Sequence, residues 1–110
     1  MWIKYNEYEL LEFFRSLPVF IGSKEAGEFI YASKGENDVE IVMSVSVYEK
    51  KCQISLCIND YPIFKASFEN VEELQIDDKY ETLKICQSGQ AKNHIIYNKP
   101  NFFITTTESN

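Results

Sequence analysis

The sequence predicts a mainly β fold of the α+β type. It reads as an antiparallel β meander of about eight short strands, closed as a sandwich or half-open barrel, with one N-terminal helix. Three observations predict it. Helical spacing of apolar residues is confined to the first part of the chain, and strict alternation dominates the middle. Turn-forming clusters then recur to the end, with no long helical pattern between strands to support parallel βαβ units. At 110 residues, residues 1–110 are expected to form a single domain.

The helix is expected over residues 7–17. Asn6 followed three positions later by Glu9 has the form of a capping box. Leu10, Phe13, Phe14 and Leu17 recur at the spacing of one helical face. Glu7 and Glu12 belong to the other side, and Pro18 marks the stop. Such a stripe cannot be buried by one helix alone, so it needs a sheet.

An opening strand is expected at Glu28–Ser33, before Lys34-Gly35. From Asp38 to Tyr48, Val39, Ile41, Met43, Val45 and Val47 alternate with largely polar residues, which is the period of a strand with one buried face. After the polar turn at Glu49-Lys50-Lys51, Cys52, Ile54, Leu56 and Ile58 form the apolar set of a second, hairpin-paired strand. Asn59-Asp60 and Tyr61-Pro62 suit a turn. Ile63 to Phe68 continues the meander through Phe64, Ala66 and Phe68. Further strands are expected around Glu72–Ile76, Thr82–Cys86, His94–Tyr97 and Asn101–Thr106.

Charge narrows the partners. With 17 acidic against 11 basic residues the formal net charge is −6, opposite in sign to what nucleic acid or an anionic membrane surface attracts. Neither is expected as a partner. Met1-Trp2-Ile3-Lys4 runs at once into polar Asn6 and Glu7, without the apolar core of a signal peptide. Cys52, Cys57 and Cys86 are odd in number, and Cys52 and Cys57 fall on opposite faces of one strand. Reduced thiols in a cytoplasmic protein are the expectation.

No catalytic motif is apparent, and a protein that is not an enzyme is expected. His94 is the single histidine, and no nucleophile motif accompanies it. A Cys86–His94 pair has no supporting spacing, and no Cys-x-x-Cys or His-x-x-x-His unit suggests zinc. Asp77-Asp78-Lys79-Tyr80-Glu81 lacks the spacing and glycine of an EF-hand, so it reads as a solvated turn. No cofactor is expected.

The distribution of negative charge is more informative. Glu69, Glu72, Glu73, Asp77, Asp78 and Glu81 crowd one stretch, with Lys79 alone opposing. Glu36, Asp38 and Glu40 form a second group. A solvated rim that discourages edge pairing would explain such charges. So would a docking face for a basic protein, where complementary potential speeds encounter. Tyr48, Tyr61 and Tyr80 are the candidate aromatic anchors of that face.

Several segments carry a family resemblance. They are the helical Tyr8-Glu9-Leu10-Leu11-Glu12-Phe13-Phe14, then Ile54-Ser55-Leu56, Ile63-Phe64, and Asn70-Val71-Glu72-Glu73-Leu74-Gln75-Ile76-Asp77 in the strands. In style the chain resembles the small immunity proteins encoded beside bacterial polymorphic or contact-dependent inhibition toxins. The resemblance implies a cytoplasmic, stoichiometric inhibitor that binds a toxin's C-terminal nuclease domain and occludes its active site. These families differ in fold, so no residue's role is carried over. Two rivals stand beside this reading. One is a small-ligand carrier with an apolar cavity lined by Phe64, Phe68 and Phe102; the other is an enzyme using His94 with a carboxylate.

Overall fold

The computed structural model describes residues 2–35, 38–77, 79, 81–88, 92–97 and 103–108. Helix α1 (Glu7–Phe14) leads into β1 (Val19–Phe20), β2 (Glu28–Lys34), β3 (Val39–Ser46), β4 (Lys51–Ile58) and β5 (Tyr61–Phe68). These five strands form one sheet in chain order. Strands β6 (Val71–Asp77), β7 (Thr82–Gln87), β8 (Lys92–Tyr97) and β9 (Phe103–Glu108) form a second, also in chain order. Every neighbouring pair is antiparallel, as short connections require. Each sheet is a meander, and the two together form a sandwich.

Alternation decides what the sandwich buries. Phe29 and Tyr31 of β2, Ile41, Met43 and Val45 of β3, and Cys52 and Ile54 of β4 share the inner face of the first sheet. Leu74, Leu83, Ile85 and Ile96 supply the second. One continuous core joins both sets to Leu10, Phe13 and Phe14 of the helix. The opposite face of the first sheet carries Ser44, Ser46, Gln53 and Ser55, the polar half of the same alternation. The expected β3–β4–β5 meander is thus present, with the apolar residues on the expected side.

The helix is shorter than its apolar spacing suggests. Asn6 caps it, accepting hydrogen bonds from the backbone N–H groups of Tyr8 and Glu9 at 3.0 and 3.1 Å. The helix ends at Phe14 because Arg15 turns left-handed, with φ 56°. Leu17 therefore does not extend the buried stripe and is 77% exposed. Ser16 donates its hydroxyl to the Ala32 carbonyl, which holds the exit against β2. Val19 and Phe20 then pair with Ile30 and Phe29, an edge strand absent from the sequence reading. Strand β5 begins at Tyr61, so Tyr61-Pro62 lies inside the strand. Asn59 and Asp60 both have positive φ, and Ile58 pairs with Tyr61 across this two-residue turn. A proline is accommodated there because β5 is an edge.

A further link holds the sheets in place. Residues 2–5 run between them as an extended strap. Ile3 is fully buried and donates its backbone N–H to the Val47 carbonyl at 3.1 Å. Lys4 donates to Glu72 and accepts from Leu74, at 2.8 and 2.9 Å. The strap thus connects the end of β3 to the outer edge of β6, where Lys4 forms a parallel bridge opposite Glu73. No helix among the described residues is long and apolar enough to cross a membrane.

Candidate functional site

Strand β6 positions most of the acidic stretch. Its pairing with β7 slips between Val71 and Glu73, so Glu72 stands at a β-bulge. The bulge re-aims the strand. Val71, Leu74 and Ile76 still reach the core, whereas Glu72 is exposed and Glu73, Gln75 and Asp77 take the outer face. The acids therefore separate into two groups. Glu69, Glu72 and Glu73 lie at the start of β6, and Asp77 and Glu81 lie at its far end, about 16 Å from Glu72 for five extended residues. Asp77 accepts the Lys79 backbone N–H at 3.0 Å, and Glu81 pairs with Arg15 at 3.9 Å. Asp78 and Tyr80, like Glu36 of the second acidic group, lie outside the described residues.

The tyrosines divide likewise. Tyr48, 61% exposed, sits in the turn between β3 and β4. Tyr61, 74% exposed, lies at the opposite end of β4, about 23 Å away along that strand. The turn that carries Tyr48 lies against the start of β6, where Val71 donates its N–H to the carbonyl of Lys50 at 2.9 Å. Tyr61 does not share that surface.

The structure adds residues that the sequence reading missed. Trp2, the single tryptophan, is 61% exposed on the strap. Two concavities meet at Trp2 and Lys4. One, of 370 Å³, is lined by Trp2, Lys4, Lys50, Glu72 and Glu73. The other, of 510 Å³, is lined by Trp2, Ile3, Lys4, Tyr5, Val47 and Tyr48. The Tyr5 ring lies 5.3 Å from the ring of buried Phe29. The Tyr48 ring lies over Gly27, where an added Cβ would come within 2.8 Å of it. Gly27 also has φ +72°, so glycine is required there twice over. Burial pushes the Tyr5 phenol above its ordinary range, with smaller upward contributions from Glu7 and Tyr48.

The chemistry-bearing residues elsewhere are dispersed. His94 faces the interior beside Phe68, with ring centroids 4.4 Å apart, and its Nε2 lies 2.9 Å from Gln87 Oε1. Ile85 is opposite His94, whereas Cys86 is opposite Asn93, so Cys86 and His94 project from opposite faces of the sheet. They cannot form a dyad. Phe68 is a core residue and Phe64 is 43% exposed at the edge; Phe102 lies outside the described residues. Among the described residues, no group of three or more His, Cys, Asp or Glu side chains is placed to hold a metal ion.

The three cysteines are free thiols, with Cys52 buried and Cys57 on the other face of β4. Burial pushes the Cys52 thiol from 9.0 up to about 12 and also raises that of Cys86. Burial, with smaller contributions from Glu7 and Tyr5, raises the Tyr31 phenol from 10.0 to about 12. Cys52 and Tyr31 ionise at a lower pH in the unfolded chain, so the folded chain retains more protons above about pH 9. Stability should therefore be unaffected by these groups at neutral pH and fall as pH rises from about 9 to 12. A guanidinium denaturation midpoint measured at each pH checks this. The Cys52→Ala/Tyr31→Phe variant should show a shallower alkaline decline.

Comparison with known proteins reveals a likeness of fold. No protein-family model matches the chain, and no curated protein matches it. The fold is similar to a chain of a solved contact-dependent growth inhibition toxin–immunity protein complex from Klebsiella pneumoniae 342. The TM-score is 0.78 at 23% identity, covering 97% of this chain and 98% of the other. At that identity the likeness establishes a shared architecture.

Proposed function

We propose that this chain is an immunity protein that binds a cognate contact-dependent inhibition toxin domain and blocks its active site, the toxin being a nuclease. The observation that carries the reading is the shared fold over nearly the whole of both chains with a member of a toxin–immunity protein complex. The net charge of −6 supports it, because a nuclease must present a basic cleft to its anionic substrate and an acidic inhibitor suits the same cleft. The contact face includes carboxylates of Glu69, Glu72, Glu73, Asp77, Asp78 and Glu81, with Tyr48 and Tyr80 as aromatic anchors. Tyr61, at the other end of β4, requires a wide footprint to join them. Neutralisation takes place in the cytoplasm, where a nuclease toxin meets its substrate.

Protection of growing cells tests this function. The first step identifies the gene immediately upstream of this chain's own; a C-terminal toxin domain is expected there, and its absence would count against the role. That domain is expressed in a susceptible bacterium, with or without this chain. Restored growth and intact cellular nucleic acid are expected with co-expression. Continued growth arrest at equal expression would refute the proposed role.

A further inference from the structure

We infer that the two adjoining concavities that share Trp2, one lined by Glu72 and Glu73 and the other by Tyr5 and Tyr48, form the toxin-binding centre, and that the occupant is a cationic loop of the toxin presenting an arginine or lysine side chain. This inference rests on the immunity reading and narrows it to one part of the acidic surface. It also brings in three side chains outside the acidic stretch, one of which, Tyr48, the sequence had suggested as an anchor.

Pre-organisation is the first reason. The strap that carries Trp2 is pinned by three backbone hydrogen bonds to β3's end and β6 and by fully buried Ile3. Tyr5 rests on buried Phe29, and Tyr48 rests on Gly27. The Tyr5 and Tyr48 rings thus have packed positions, and the backbone next to Trp2 is fixed, while Trp2 and Tyr48 remain largely exposed. Ordering them on binding costs little, which is why rigid aromatic anchors dominate many interfaces.

Charge identifies the occupant. Glu72 is exposed at the bulge, Glu73 lines the same concavity, and neither is ion-paired among the described residues. Aromatic faces beside carboxylates attract a guanidinium or ammonium through both cation–π attraction and ion pairing. Nearby, Lys24 already lies 5.7 Å over the ring of Phe20. Lys4 and Lys50 also border the cleft, so it is not a uniformly negative basin. A cationic side chain seats between the Trp2 ring and the two carboxylates, which line one concavity, with Tyr5 and Tyr48 in the adjoining one. Asp77 and Glu81, at the far end of β6, are outside this centre.

The test uses the full chain and the inactivated C-terminal domain encoded immediately upstream, with affinity measured by titration calorimetry. Trp2→Ala and Tyr48→Ala should each weaken binding at least tenfold. Tyr48→Phe should retain most of it, because the ring face remains. Glu72→Gln/Glu73→Gln should weaken binding and reduce its salt dependence, whereas Glu12→Gln, at an exposed position of α1, should change it less than threefold. Chain labelled with 5-fluorotryptophan has one fluorine site, at Trp2, and its NMR resonance should shift on addition of the domain. Wild-type binding with unchanged affinity in these variants and an unmoved fluorine signal would overturn the cleft and leave the immunity reading standing. Absence of wild-type binding would overturn both.

Discussion

Phe14→Ala should destabilise the folded chain by about 3–5 kcal/mol, a large fraction of the roughly 5–15 kcal/mol that holds a domain of this size. Phe14 is almost fully buried at the end of a two-turn helix. Its ring stacks on Tyr31 at 5.1 Å and meets Phe13 edge-on at 5.0 Å. The helix touches β2 of one sheet and β6 of the other, so this side chain contributes to the closure of the sandwich as well as to the helix. Truncation leaves a cavity between elements that cannot collapse independently. Guanidinium denaturation monitored by circular dichroism measures the loss. A change below 1 kcal/mol would show that the helix is an ornament on a self-sufficient pair of sheets.

Reversal of charge at the start of β6 should have the largest effect on recognition. Glu72→Lys/Glu73→Lys replaces two carboxylates in the proposed toxin site with cations, changing the local charge by four. A loss of about 100-fold in affinity, or about 2.7 kcal/mol, is expected. Association should slow and its salt dependence should flatten, because the long-range attraction disappears. Both substitutions fall on partly or fully exposed positions, so the denaturation midpoint should remain near that of the native chain. A mutant that binds with native affinity and native salt dependence would remove these carboxylates from the interface.

Much of the architecture was legible because the faces of its strands differ. Ile41, Met43 and Val45 alternate with residues suited to the outer face, and β3 follows that pattern in both pairings. Asn6 marked the start of the helix, and its side chain takes two of the free N–H groups there. The end of the helix was less visible. Leu17 retained the helical spacing, but the left-handed turn at Arg15 intervened, a conformation that an arginine does not announce. Strand β1 is too short to show a period, and it owes its existence to pairing with β2.

The candidate site was legible only in part, for a different reason. Linear charge density revealed Glu72 and Glu73 but could not separate them from Asp77 at the other end of a strand. A local signal did exist. Val71 and Leu74 both reach the core although three positions apart, where alternation calls for two, and the bulge at Glu72 resolves that mismatch. Trp2 was passed over because the strap has no partner nearby in sequence. Its neighbours, Val47, Glu72 and Leu74, come from strands formed dozens of residues later. A lone tryptophan beside a buried isoleucine becomes an exposed ring at a cleft only once those strands are in place.

Titration calorimetry between this chain and the inactivated upstream-encoded domain, at low and at physiological salt, addresses the proposed function most directly. An immunity protein should bind one-to-one with nanomolar affinity at physiological salt, and more tightly at low salt. No measurable heat at either salt concentration, with both proteins shown to be folded, would contradict neutralisation through a charged contact surface.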